Sequence, residues 1–150
     1  MKIIEVIENM NILTKIEKAV EESGFFESGY LDIGSLRYNN EVRKICQENM
    51  CRNYATSWAC PPAIGTLTEC KERVDSYDKM LLLSKKYDLE DSFDFEGMIK
   101  ALKDFKLTVD VFQQKIEIFL SDYMLLSNEG CGRRSECTYP NAPETMKKSL

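Results

Sequence analysis

Histidine is absent from the 150-residue sequence, and this absence removes several kinds of site at once. Without imidazole there is no histidine general base, no Ser-His or Cys-His nucleophile pair and no mixed Cys/His zinc site. A metal bound by this chain must therefore be held by cysteine thiolates, with carboxylates as the other available side-chain ligands.

Long apolar runs are missing too. No stretch of eighteen apolar residues exists, so we predict no membrane span. Glu5 and Glu8 interrupt the apolar start of the chain, which argues against a signal peptide, since its h-region is uninterrupted. We therefore expect a cytoplasmic protein, and in that reducing compartment its six cysteines favour thiols or metal ligands over disulfides.

Positive charge is in the minority, with 20 Lys and Arg residues against 25 Asp and Glu residues and a net charge of −5. Such a field repels a phosphate backbone, so we predict no nucleic-acid partner. We interpret Lys71, Arg73, Lys85 and Lys86 as solvated surface residues. Hydrophobic residues make up 43 % of the chain, which is typical of a globular protein, and its length predicts a single domain over 1–150.

The sequence does contain both strand and helix patterns, which together predict an α/β or α+β fold with a small sheet packed by helices. Strands are predicted over 2–8, 29–38, 80–83 and 123–127. Helices are predicted over 12–23, 40–47, 67–76 and 95–122. The last of these is one long C-terminal helix with apolar residues in steps of three and four, and it is followed by a polar, Cys-containing tail over 130–150. It either lies across the sheet or forms a coiled-coil seam, through which a homo-oligomer could assemble.

Particular residues mark the helix ends. Asn11 and Asn40 are placed to start two of the helices, and Gly24 suits the position just after a helix. Thr66 and Glu69 form the pattern of a capping box, in which each side chain bonds the backbone amide of the other.

Four cysteines fall within twenty-five residues, around an irregular cysteine-rich loop of about 46–65 that also carries Pro61, Pro62 and Gly65. A loop this long inside a compact domain is usually functional. Thiolates are soft ligands that suit zinc and iron–sulfur clusters, and a Cys-Pro pair closes the bacterial ferredoxin run. The predicted metal ligands are Cys46, Cys51, Cys60 and Cys70.

Simple packing is the competing explanation, because free cysteine often behaves as a small buried hydrophobe. Cys70 lies on the apolar face of its predicted helix and suits core packing as well as ligation. Cys131 and Cys137 are the less certain ligands. They could complete the first site, pair as a disulfide or do neither, and Arg134 stands where a middle cysteine would complete a C-x2-C-x2-C run.

The order of these motifs resembles a cysteine-rich family of uncharacterised proteins, a domain of unknown function in anaerobic bacteria and archaea with a predicted metal-binding role. The resembling residues are Val42-Arg43, Cys46, Asn49, Cys51, Tyr54, Trp58, Cys60-Pro61-Pro62, Gly65-Thr66-Leu67, Glu69-Cys70, Asp91-Ser92-Phe93-Asp94-Phe95, Gly97-Met98, Gly130-Cys131 and Cys137-Thr138-Tyr139-Pro140. The family tail usually carries four ferredoxin-like cysteines. Here that set is degenerate, with Arg134 and Glu144 in two of its positions, and truncated, since the chain ends at Leu150. The resemblance therefore implies metal binding by the N-terminal cysteines.

Together, these features predict a metal-binding protein that holds an iron–sulfur cluster, of the 4Fe–4S kind, through cysteine thiolates. We expect it to act in electron transfer or as an accessory to a redox enzyme, with no catalytic activity of its own. Three alternatives stay open: a structural four-cysteine zinc site in an interaction module, a small thiol-dependent reductase using Cys51 or Cys60 as nucleophile, and a metal-free module that docks through the long helix.

Overall fold

The computed structural model describes residues 3–127 and 137–141, with side chains from residue 11 onward. In these residues the chain forms four helices, two strands and one 3-10 turn. They run in the order α1 (Ile3–Ser23), β1 (Glu27–Leu31), the 3-10 turn (Ile33–Ser35), α2 (Asn40–Gln47), α3 (Leu67–Asp75), β2 (Met80–Ser84) and α4 (Phe95–Ile116). The expected mixed architecture is confirmed in its α+β form, with α4 as the long C-terminal helix.

The described residues belong to two compact units. The first, the helical unit, comprises the residues up to Leu31 together with Lys79–Tyr123. The second, the cysteine unit, comprises Asp32–Asp78 together with the residues from Met124 onward. The single domain expected over 1–150 stays a prediction.

The core of the helical unit lies between α1 and α4. Ala19 and Val20 of α1 are buried against Phe112 and Ile116 of α4, because each helix presents one apolar stripe. The ring of Phe25 meets that of Phe112 edge-on, with centroids 5.5 Å apart. None of the helices in the described part of the chain is long and apolar enough to cross a membrane.

The two strands pair antiparallel, from Glu27 opposite Ser84 to Leu31 opposite Met80. Successive side chains of a strand point to opposite faces of the sheet. Leu81 and Leu83 accordingly pack against the helical core, whereas Leu82 between them is 56 % exposed. The predicted strand over 80–83 is confirmed, with one further residue.

A polar network joins β2 to α4. The ammonium group of Lys85 donates to the carboxylate of Asp104 and to the hydroxyl of Thr108, both at 2.7 Å. Partial burial and a hydrogen bond to Asp104 raise the pKa of Tyr87 to about 12. Lys85 is therefore a half-buried structural residue, and its assignment to a solvated surface is wrong.

The N-terminal strand expected over 2–8 is wrong, because the described residues from Ile3 onward already belong to α1. The apolar residues Ile3, Ile7 and Met10 continue the helical spacing of Leu13 and no proline or glycine interrupts it, so one helix can extend back through them. Asn11 lies inside this helix and does not cap it.

The end of α1 follows the prediction. Gly24 adopts φ +79°, a left-handed conformation that glycine adopts at no steric cost, and its amide donates to the Glu21 carbonyl.

The strand expected over 29–38 is confirmed only as far as Leu31. Asp32 ends it, because its carboxylate accepts the Gly34 amide at 2.9 Å and starts the 3-10 turn instead.

The predicted helix over 95–122 begins as expected but ends at Ile116. After Leu120 the chain folds back so that Tyr123 packs on the core and its hydroxyl donates to Glu117 at 2.6 Å. The residues after Ile116, which were expected to continue the helix, form this return to the core instead. The strand predicted over 123–127 is also wrong, since those residues adopt no regular structure.

Candidate metal centre

Helices α2 and α3 carry two of the predicted ligands into the cysteine unit. Cys46 is the penultimate residue of α2, and Cys70 lies in the first half of α3. The side chain of Asn39 caps α2 by accepting the Glu41 amide at 2.9 Å, so the cap is one residue earlier than the predicted Asn40.

The capping box that starts α3 is confirmed. Thr66 accepts the Glu69 amide at 3.2 Å, and Glu69 accepts the Thr66 amide at 2.7 Å. This second bond is the main cause that lowers the pKa of Glu69. The N-terminus of the Cys70 helix is thus fixed by local sequence.

The chain between the two helices is irregular, as predicted, and its own hydrogen bonds close it. The side chain of Asn49 accepts the Tyr54 amide at 3.0 Å, and the Ala55 amide donates to the Pro61 carbonyl at 2.7 Å. Cys51 and Cys60 lie on the two sides of this closed loop. The Pro61–Pro62 peptide bond is cis.

Three residues of the loop other than glycine have left-handed backbones, namely Asn49, Arg52 and Ala55 at φ 55°, 60° and 55°. For L-residues this conformation costs about 1–2 kcal/mol each. They flank Cys51 on both sides, and such strain is characteristic of functional segments.

The strain at Ala55 gives a first prediction. The Ala55→Gly variant should be more stable by about 0.5–1 kcal/mol, because removing Cβ relieves the left-handed strain by more than the added freedom of the unfolded chain costs. Urea unfolding of the metal-free chain, followed through the fluorescence of Trp58, measures the change in this loop, since Trp58 is the single tryptophan.

Ala63→Gly is the matched control, because Ala63 lies in the same loop without a positive φ. We expect it to lose about 0.5–1 kcal/mol. Equal destabilisation by both substitutions would contradict the strain at Ala55.

Ile64 links the backbone of Cys60 to the side chain of Cys70. The Ile64 amide donates to the Cys60 carbonyl at 3.2 Å, and the Cys70 thiol donates to the Ile64 carbonyl at 3.5 Å. Gly65 follows at φ +93°, where an added Cβ would lie 2.9 Å from the Glu69 carboxylate. This short segment therefore brings the loop back to α3 at Cys70.

Two guanidinium groups contact the sulfur of Cys70. Arg43 of α2 approaches Sγ with Nη2 at 3.7 Å, and Arg73, one turn after Cys70, approaches it at 3.4 Å. Arg73 also donates to the Ile64 carbonyl. Arg73 is exposed, as expected of a solvated residue, and it makes these two contacts from the surface.

A segment of the tail packs on the loop. The indole N–H of Trp58 donates to the Thr138 hydroxyl at 3.2 Å, and the Trp58 and Tyr139 rings meet edge-on with centroids 5.3 Å apart. Cys137 directly precedes Thr138, so this contact brings a tail cysteine to the segment that carries Cys60. The sequence offered no local signal for it, because the partners are 80 residues apart.

The thiol groups differ in exposure. Cys46, Cys60 and Cys70 are half-buried, whereas Cys51 and Cys137 are exposed, and all five are free thiols. Cys131, Arg134 and Glu144 lie outside the described residues.

The chemistry of this donor set fits a soft metal, because free thiols are the ligands that zinc and iron–sulfur clusters prefer. The described side chains do not bring three or more Cys, Asp or Glu residues together as a metal-binding group. Cys60 and Cys70 are joined by hydrogen bonds through Ile64, while no hydrogen bond links Cys46 or Cys51 to them among the described residues. Metal binding by the predicted set thus requires the loop to draw its sulfurs together.

A comparison with protein families identifies a match that covers most of the chain. Residues 29–150 match a family model whose description is "Predicted metal-binding protein (DUF2284)". The matched range includes every residue of the cysteine unit. No curated protein and no solved structure matches the chain.

Proposed function

The chain belongs to the DUF2284 family of predicted metal-binding proteins, as its motifs suggested, and from this premise we propose that it holds an iron–sulfur cluster through cysteine thiolates. Cys46, Cys51, Cys60 and Cys70 are the proposed ligands. Four free thiols in one unit of a chain without histidine carry this proposal. Each of them can become a thiolate, and four thiolates are the usual ligand set of a 4Fe–4S cluster.

Cluster binding would be coupled to folding of the loop. Cys46 and Cys70 are held on helices with satisfied caps, whereas Cys51 and Cys60 lie on the irregular loop. The helices supply two fixed ligands, and the loop moves its two sulfurs toward them when metal arrives. Part of the binding free energy is then used to order the loop, as in other small metal-dependent segments.

Electron transfer is the role that this location suits. Cys51 is exposed, so a cluster bound there would lie at the surface of the cysteine unit, within reach of a redox enzyme or an electron-transfer protein. The N–H groups of Arg43 and Arg73 at the Cys70 sulfur are the kind of contact that sets a cluster's reduction potential.

Metal and sulfide analysis of protein purified under anaerobic conditions tests the proposal. We expect brown protein with iron and acid-labile sulfide in equal amounts, about four of each per chain. Colourless protein with one zinc per chain would favour the structural zinc site and would overturn the iron–sulfur proposal. Protein with neither metal after reconstitution with iron and sulfide would overturn thiolate metal binding altogether.

A further inference from the structure

The sulfur of Cys70 is the meeting point of two positively charged side chains from different helices. Arg43 on α2 and Arg73 on α3 both direct Nη2 toward it, at 3.7 and 3.4 Å. Arg43 is half-buried, and 27 residues separate it from the cysteine it contacts. The contact is therefore a tertiary one between side chains of α2 and α3, since Arg43 and Cys70 are far apart along the chain.

Neither of these two charges forms an ion pair among the described residues. Neither arginine lies within 4.0 Å of an Asp or Glu oxygen in the part of the chain that the structure describes. The Glu69 carboxylate accepts from the amide and hydroxyl of Thr66, and the charge of Arg73 contributes to lowering its pKa, which leaves the half-buried Arg43 as the guanidinium with no carboxylate nearby among the described residues. A half-buried guanidinium without a counter-ion is unfavourable, and a negatively charged sulfur would supply one.

The Ile64 carbonyl has a second donor besides the Cys70 thiol. This carbonyl accepts both the Cys70 thiol and the Arg73 guanidinium. When metal replaces the thiol proton, the carbonyl keeps its bond from Arg73, and the sulfur keeps the two N–H donors. The local hydrogen bonds thus suit the metal-bound thiolate as well as the free thiol.

From these contacts we infer that Arg43 and Arg73 are positioning residues for the metal centre. They fix the position of the Cys70 sulfur through their N–H groups and would compensate the negative charge of its metal-bound form. The inference rests on the proposed function and adds a consequence to it. Because N–H donors and positive charge stabilise the more negative reduced cluster, the two arginines raise its reduction potential.

Redox titration of the reconstituted full-length protein tests the inference. We expect the double variant Arg43→Gln, Arg73→Gln to bind the cluster with about a tenfold lower ratio of reduced to oxidised cluster at a fixed ambient potential, which is 59 mV for a one-electron couple. Glutamine keeps helix propensity and removes the charge. Arg37→Gln is the matched control, since Arg37 is an exposed arginine of the same unit, and we expect no shift.

The double lysine variant separates charge from folding. A reduced-to-oxidised ratio in Arg43→Lys, Arg73→Lys that lies closer to wild type than the ratio of the glutamine pair would support the inference, because lysine keeps the positive charge that glutamine removes. The inference would be overturned by an unchanged ratio of reduced to oxidised cluster in the glutamine pair, or by a shift of equal size in Arg37→Gln. It would also be overturned if both double variants lost the cluster and their apo chains melted at a lower temperature than wild type. A wild-type chain that binds no cluster would defeat the proposed function and this inference together.

Discussion

We expect Cys60→Ser to lower the iron bound per chain by more than about tenfold if the proposed ligands are correct, and Cys46→Ser, Cys51→Ser and Cys70→Ser to do the same. Substituting an outer-shell partner of a metal ligand already costs about 10–100-fold in affinity, so removal of a ligand costs at least as much. Iron and sulfide analysis of the four single variants after anaerobic reconstitution measures the loss. The oxygen of serine is a harder ligand than the sulfur of cysteine and replaces it poorly in a cluster.

Met50→Ser is the matched control for this series. Met50 is 79 % exposed, lies beside Cys51 and places a serine in the same loop without removing a thiol. We expect it to bind iron as the wild type does. Full iron content in all four cysteine variants would mean that the ligands lie elsewhere in the chain.

Cys137→Ser extends the same experiment to the tail. Trp58 binds the segment that begins at Cys137, through Thr138 and Tyr139. A loss of iron comparable to that of Cys60→Ser would add Cys137 to the ligand set, whereas full iron content would exclude Cys137 from it.

Phe112→Ala is expected to have the second large effect, a loss of stability. Phe112 is only 4 % exposed and packs between Phe25 and the α1–α4 core, so Phe112→Ala leaves a cavity where the helical unit has few other buried residues. The expected cost is about 3–5 kcal/mol, which is a large part of the stability of a typical domain. Urea unfolding followed by circular dichroism measures it, because α1 and α4 contribute 21 and 22 helical residues.

Phe93→Ala removes the same side chain from a position that is 76 % exposed. We expect a change within about 0.5 kcal/mol there. Similar losses from the two substitutions would show that the α1–α4 contact does not hold the helical unit together.

Local signals in the sequence were sufficient for the parts of the fold that depend on near neighbours. The Thr66–Glu69 capping box and the left-handed Gly24 are interactions over a few residues, and both are present as predicted. The irregular segment between α2 and α3 was also predictable, because its prolines and its lack of periodicity exclude regular structure.

The errors arose where short patterns have two interpretations. A short run of apolar residues suits a strand or the first turns of a helix. In α1 the run is helical, because its apolar residues continue the helical spacing of the residues that follow. The end of α4 depended on Tyr123 returning to the core, which is a tertiary contact that no local pattern encodes.

The candidate site divides in the same way. The cysteines could be selected from composition and spacing, because thiol chemistry is a property of each residue. Their surroundings could not, since Arg43 reaches Cys70 across 27 residues and Trp58 reaches Thr138 across 80. The folded chain brings the arginine charges to the cysteine sulfur, and a single sequence does not show which distant residues will meet.

X-ray absorption at the metal edge tests most directly whether cysteine sulfur holds the metal in this protein. For wild-type protein purified under anaerobic conditions we predict an iron edge with a first shell of sulfur only, at about 2.3 Å, the usual metal–thiolate distance. A first shell dominated by oxygen at about 2.0–2.2 Å, typical of carboxylate or water ligands, would contradict a thiolate centre.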